Sequence, residues 1–545
     1  MRYSSVDKVY QTYPAWDNSA NMNETSVHAP DFPSVGDLTA AHSLPYLIGI
    51  LLVTLTTYAW KTYNPSLKKL PYVNRPSFFS NAQAKHNFRE SAKTILQEAR
   101  KRFPNKPYRM TTDFGEVVML QSEWFDEIRN NPHLSFMGTV PQERISEVAG
   151  FEPFAAFGED GRLVQIIARN QLTKLLNQVT EPLSEEAAHA VSLNMGESTD
   201  WTEMVLMPPL RDITVRMSSR VFLGEELCRN KDWVHIMSNY TIDAIKGANT
   251  LSAYNKNLRP YIGWLFPESR RMRDYYWRSK TLIEPIMKNR EDLKRAALAE
   301  GQPEPVYNDA LEWIVQESKK HNSSYDVATI QLIISIVATN TTTDLLHLTL
   351  IRLIQHPETL QAVRNEIAQV LKADGWKKTS LYNMKLLDSA IKESQRIDPA
   401  FTAMRRSVEG DTKLSDGTLL KKGARVHIDT HRMQDPTVYE NPEEWKGDRF
   451  VELRDQPGKE HMAQLVATSV DHFGFGHGQH ACPGRFFAAN ELKIALAHLL
   501  IKYDWKLVPG TPTNIVRTGF IQKPTPDTKV LCRRREVMEL DIDAI

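Results

Sequence analysis

The chain is poor in cysteine. Cys228, Cys482 and Cys532 are the only three in 545 residues, too few for a disulfide framework and consistent with a reducing compartment. It also lacks a surplus of charge: Lys+Arg number 67 against Asp+Glu 66, which argues against nucleic acid or a polyacidic partner. There is no internal repeat, no low-complexity tract, no CxxC pair and no flavin or nucleotide-binding motif. A paired-cysteine zinc site and an in-chain nucleotide cofactor are therefore set aside. At 41% hydrophobic residues the chain can bury a sizeable core.

Long hydrophobic runs are missing with one exception, the uncharged stretch Leu44–Trp60 (LPYLIGILLVTLTTYAW). It follows a polar tail over 1–42 and precedes a linker over 62–77 punctuated by Pro65, Pro71 and Pro76. The run is at the short end for a membrane-spanning helix, with Tyr46, Tyr58 and Trp60 suited to the interfaces. A cleaved signal peptide needs a basic start and a small-residue cleavage site close to the N-terminus, and neither is clear. Residues 43–61 thus read as a transmembrane anchor. Lys61, Lys68, Lys69 and Arg75 follow it, so the positive-inside rule places the bulk of the protein, residues 78–545, in the cytosol and the tail in the lumen. The sequon Asn23-Glu24-Thr25 in that tail is a glycosylation candidate.

The most informative stretch is HFGFGHGQHACPGRFFAANELK, His472 to Lys493. Gly474, Gly476, Gly478 and Gly484 allow a tightly curled loop that approaches a flat ligand closely. Cys482 falls where Pro483 and Gly484 open a helical run. A thiolate is favoured there by the unpaired N–H groups of the first turn. A buried structural cysteine leaves the glycines unexplained. A zinc or copper site built on His472, His477 and His480 lacks the usual ligand spacing. A haem thiolate accounts for all of it.

A second odd stretch lies within a long apolar helical pattern from about Asp326 to Gln355, stopped by His356-Pro357. Its centre reads Ala338-Thr339-Asn340-Thr341-Thr342-Thr343. Threonine and asparagine compete with the helix for its own carbonyls, so the run marks a bend or a need for hydroxyls.

Phe475-Gly476-His477-Gly478-Gln479-His480-Ala481-Cys482-Pro483-Gly484 resembles the haem-binding signature FxxGxRxCxG of the cytochrome P-450 family, with His480 where arginine is usual. The resemblance implies that family's fold, mainly α with a small β region, carrying haem b with Cys482 as the axial ligand of the iron. Phe475, Gly478 and His480 would surround the cofactor. Arg169, in a WxxxR-like position where Gln165 replaces the tryptophan, would meet a propionate, as would Arg405 or Arg406. The threonine run resembles the A/G-G-x-D/E-T-T motif of the oxygen-binding helix. In that alignment Thr342 is the hydroxyl offered to bound dioxygen and Thr341 stands where the acid belongs. Water relayed through Thr341 and Thr342, or Asp344 nearby, would take over the acid's task. Glu393-Ser394-Gln395-Arg396 resembles the family's ExxR, and Arg449 its third, structural partner. Phe136, Ala338, Phe401 and Phe520 would line the substrate pocket.

The implied activity is oxidation of a hydrophobic secondary metabolite, terpenoid or polycyclic alkaloid-like, at the endoplasmic reticulum membrane. Dioxygen would be the oxidant, with electrons from a separate NADPH-dependent reductase and cytochrome b5 as an additional donor. Two other outcomes remain open at this stage: desaturation, oxidative coupling or ring rearrangement without net oxygen insertion, and a non-enzymatic haem carrier or sensor.

Overall fold

The computed structural model describes residues 40–62, 65–77, 80–139, 144–157, 161–321 and 326–545. Most of the polar tail, including Asn23, lies outside them. The chain divides into two units, Met1–Asn64 and Pro65–Ile545.

In the first unit a helix, Ala40–Thr62, runs through the predicted anchor. Along it Leu47, Ile50, Leu51 and Val53 are exposed. The side chains of residues 40–44 and 58–62 lie outside the described set, and among the described residues no helix is long and apolar enough to cross a membrane.

The second unit is mainly helical with a small β region. Four long helices form its centre: Leu176–Met195, Met207–Phe222, Val327–Gln355 and Arg485–Lys502. Val327–Gln355, the threonine helix, is buried on most of its circumference, as its continuous apolar pattern requires. The Asp326 side chain accepts the Thr329 N–H and caps its start. It ends before Pro357, whose ring disfavours helical angles at His356. Arg485–Lys502, the cysteine helix, packs against it, with Leu492, Ile494, Leu496 and Leu499 fully enclosed.

The largest sheet has six strands in the order Tyr72–Val73, Tyr108–Thr112, Gly115–Leu120, Arg425–Asp429, Ala403–Val408, Leu134–Ser135. Its first hairpin pairs Thr112 with Gly115, whose φ of +92° suits a residue without a Cβ. Within it Arg405 stands opposite His427 and Arg406 opposite Val426. Successive strand residues point to opposite faces, so these two arginines are sent in different directions. A C-terminal hairpin, Ile515–Thr518 with Ile521–Pro524, bridges through Ile521 to Phe401.

Candidate active site

The glycine-rich loop is fastened to the body of the protein before it reaches Cys482. The Cys482 N–H donates to the Phe475 carbonyl at 2.7 Å and the Gly476 N–H to that of Phe473 at 2.7 Å. Gly478 has φ +72°, and a Cβ there would lie 2.6 Å from the Arg129 Cβ and 2.7 Å from its carbonyl oxygen. Glycine is needed at that position for both reasons. Arg129 also reaches His477, Nη1 to Nε2 at 3.0 Å, and the other ring nitrogen of His477 meets Thr468 Oγ1 at 3.1 Å. Arg485 donates to the Cys482 carbonyl at 2.9 Å and to that of Val466 at 3.2 Å. Burial pushes the Cys482 thiol up, opposed by the N–H groups of Gly484 and Arg485 and the charge of Arg485. A coordinated metal ion outweighs such a desolvation penalty and removes the thiol proton outright.

Beside the loop is a positive corner without an acid. Arg406 is 3% exposed. Its Nη1 donates to the Arg405 carbonyl at 2.7 Å, and it has no carboxylate partner among the described residues. Burial alone brings it down to about 10, so it stays charged at neutral pH. His480 Nε2 lies 3.0 Å from the Leu134 carbonyl oxygen. Burial first, then Arg406 and Arg169, hold its imidazole down at about 4, so it is neutral. Arg169 sits in a π-helical turn, Ile167–Leu172, and its Nη2 donates to the Gln479 carbonyl at 2.9 Å. A buried, unmatched guanidinium is costly unless an anion joins it. The two propionates of a haem whose iron meets Cys482 fit that need. Arg405 points elsewhere: its guanidinium lies over the Phe114 ring at 4.8 Å, with the Asp113 carboxyl and the His427 ring near it.

The threonine helix, packed against the cysteine helix, exposes one narrow stripe. Val337 is 44% exposed, Thr341 is exposed, and Asp344 and Leu348 are half-buried. These positions recur at i, i+4, i+7 and i+11, one face of a 3.6-residue helix. The threonines divide accordingly. Thr339 and Thr343 bond back to the carbonyls of Ser335 and Thr339, each at 2.8 Å. Thr341 and Thr342 make no such bond among the described residues. Thr342 is 5% exposed, on the buried side, whereas Thr341 opens onto free space. Asn340 donates to Thr241 Oγ1 at 2.8 Å, tying the helix to the neighbouring helix Lys231–Ser252. Of the other predicted pocket residues, Phe401 is 39% exposed and Phe136 and Ala338 are half-buried. Phe520 instead packs in the core, 4.7 Å from the Phe88 ring and 4.9 Å from that of His427.

Glu393, Arg396 and Arg449 do come together. Arg396 Nε and Nη2 donate to the two Glu393 oxygens at 2.8 and 2.9 Å, and Arg449 Nε donates to Oε1 at 2.9 Å. The spare donors of Arg396 reach the carbonyls of Met433 and Pro442. Next to them is a cluster the sequence does not announce. The Lys392 ammonium donates to the carbonyls of Met462, Gln464 and Ala467, and Asp388 is shared by Arg454 and Lys493. These partners lie far apart in the chain, and lone charges on a helical run carry no signal of them.

Comparison with known proteins agrees with this geometry. The family model for cytochrome P450 matches residues 116–531. Cytochrome P450 monooxygenase hepE of Aspergillus oryzae is 43% identical over 480 residues, covering 87% of this chain and 88% of that protein. Cytochrome P450 monooxygenase 2 of Gibberella fujikuroi is 40% identical over 521 residues, covering 94% and 99%. Among solved structures, a retinoic-acid-bound cyanobacterial enzyme, CYP120A1, superposes with a TM-score of 0.62 at 18% identity, over 86% of this chain and 99% of that one. The chain belongs to the cytochrome P450 family. It is accordingly an oxidoreductase of the haem-thiolate monooxygenase class. That class uses dioxygen and electrons from a redox partner on a small-molecule substrate.

Proposed function

We propose that this protein is a membrane-anchored monooxygenase that hydroxylates, or otherwise oxidises, a hydrophobic secondary metabolite of terpenoid or polycyclic alkaloid-like character. Haem b is the cofactor in this reading, Cys482 its axial ligand, and Arg406 and Arg169 the partners of its propionates. The observation that carries it is the pairing of Cys482, held at the start of the cysteine helix, with the unpartnered charge of Arg406 beside it. The anchor over 43–61 is supported by the exposed apolar side chains of Leu47, Ile50, Leu51 and Val53. It would hold the enzyme on the endoplasmic reticulum membrane, where a lipid-soluble substrate partitions and an NADPH-dependent reductase and cytochrome b5 supply electrons.

When bound, the haem supplies stepwise dioxygen activation and the oxidant that attacks a substrate carbon. The chain's own residues set the conditions. Cys482 gives an anionic sulfur, which favours O–O cleavage. The neutral His480 adds no third positive charge to the corner that Arg406 and Arg169 provide. Val337, Ala338 and Phe401 give apolar walls that exclude water and orient the substrate. The exposed stripe supports Thr341 as the hydroxyl presented to the oxygen side, one residue before the position the motif alignment selects. Asn340, bonded to Thr241, then stands in the place of the acid.

The test is the reduced, CO-treated spectrum of the full chain against Cys482→Ala. The wild type shows the thiolate-type band and the variant does not; a band that survives in the variant refutes the ligand assignment. Expression with a reductase and comparison of metabolites then identifies the product, and a gain of one oxygen separates hydroxylation from desaturation or coupling.

A further inference from the structure

Asp344 is out of place. It is a carboxyl in the middle of a long, mostly buried apolar helix, half-buried, and it has no hydrogen-bond or ion-pair partner among the described residues. Unpaired acids in such surroundings are costly and are kept where they have a task. It shares the accessible stripe with Thr341, three residues ahead of it, and residues so spaced on a helix have Cβ atoms about 5–6 Å apart. The charged groups that face it are Arg211, from helix Met207–Phe222, and Lys523, from strand Ile521–Pro524. Burial pushes its carboxyl up to about 6, with Lys523 and Arg211 pulling the other way. Arg211 also lines an open pocket of about 530 Å³ together with Asn194, Pro208, Asp212, Ser238 and Asn239. That pocket opens Arg211 to solvent.

We propose that Asp344 is the proton donor to Thr341, doing from one turn further along the helix what an acid beside the threonine would do. The inference rests on the haem-thiolate reading above. As Thr341 gives up its hydroxyl proton on the cofactor side, the Asp344 carboxyl passes one proton to Thr341 Oγ1 through a single intervening water. The carboxylate then regains a proton from solvent entering by the Arg211 pocket. Each passage moves one proton inward, monooxygenation takes two passages per cycle, and no electrons are exchanged among these groups. An acid with a pKa near the working pH both releases and recovers its proton readily, the condition for a relay. A carboxyl fixed at ordinary surface acidity would recover it slowly.

The test uses the full-length holoenzyme with a reductase and 7-ethoxycoumarin as probe, comparing wild type, Asp344→Asn and Asp344→Glu. Expected in Asp344→Asn are an intact reduced-CO band, reductase-driven turnover lower by about 10²-fold and a larger solvent isotope effect. Iodosylbenzene-driven turnover, which needs no proton delivery, should change little, and Asp344→Glu should recover part of the loss. A readout independent of turnover is the carboxylic-acid C=O infrared band of the resting protein. It should titrate near pH 6 in the wild type and be missing in Asp344→Asn. Unchanged reductase-driven turnover and isotope effect in Asp344→Asn, or an infrared difference that does not include Asp344, overturns the proposal and leaves the haem-thiolate reading standing. A CO band that survives Cys482→Ala overturns that reading instead.

Discussion

Glu491 offers a measurement in which sign and size both follow from the fold. It lies on the cysteine helix, 1% exposed. Its Oε1 is 2.6 Å from Ser218 Oγ, and its Oε2 has no protein partner among the described residues. Burial, offset only by the Ser218 hydrogen bond, pushes the carboxyl from 4.5 up to about 8. A raised folded-state pKa means that the folded protein holds a proton the unfolded chain has released. Stability from this group is therefore complete below pH 4.5 and is lost progressively as pH rises toward 8. At neutral pH the loss is on the order of 3 kcal/mol, at about 1.4 kcal/mol per pH unit. Glu491→Gln keeps the shape and abolishes the ionisation, while its amide adds one N–H without an acceptor, worth about 1 kcal/mol. The variant should match the wild type near pH 5 and exceed it by about 2 kcal/mol at neutral pH. In a domain of several hundred residues that is a Tm gain of about 2 °C. Thermal unfolding of the two proteins between about pH 5 and 8 measures the difference. If that difference is flat across the range, the carboxyl is not held neutral by the fold and the reasoning fails.

Arg396→Leu leaves the Glu393 carboxylate buried without its two closest donors. Urea unfolding should show a loss of about 3–5 kcal/mol, and little loss would mean that Glu393 is solvated. Arg406→Gln removes the unmatched charge beside the cysteine loop, so haem should dissociate faster into apomyoglobin while the apoprotein keeps its helical circular dichroism. Equal haem retention would place the propionates elsewhere. Gly478→Ala forces a left-handed angle and a backbone clash with Arg129, worth about 1–3 kcal/mol of strain. Weaker haem binding and a lower Tm are expected, and an unchanged protein would show that the loop does not need its close contact with Arg129.

What could be read from the sequence was local or carried by resemblance. The cysteine loop, the Glu393–Arg396 pair and the threonine run each occupy one short stretch, and their spacing is informative. Choices that depend on packing were not legible. Arg405 and Arg406 are adjacent, and only the register against His427 and Val426 decides which one turns toward His480. Thr341 and Thr342 differ by about 100° around one helix, and the sequence does not say which side is open. The Arg129–His477 contact and the carbonyl cage around Lys392 join residues with no common motif. Phe520 was read as a pocket residue because Thr518-Gly519-Phe520-Ile521 resembles the family's last substrate-contact loop; its ring packs against that of Phe88.

The fastening of the cysteine loop also has a bearing on how the protein is made. Its anchors, Arg129, Leu134 and Arg169 from the first third of the chain and Thr468 just ahead of it, all leave the ribosome before Cys482 does. The helix that closes the site ends at Lys502, and strand Lys529–Arg534 must still pair with Thr202–Val205. Haem capture therefore belongs to the end of synthesis: the nascent protein makes most of the loop's receptor before the iron ligand, and Arg485 and the closing helix follow it.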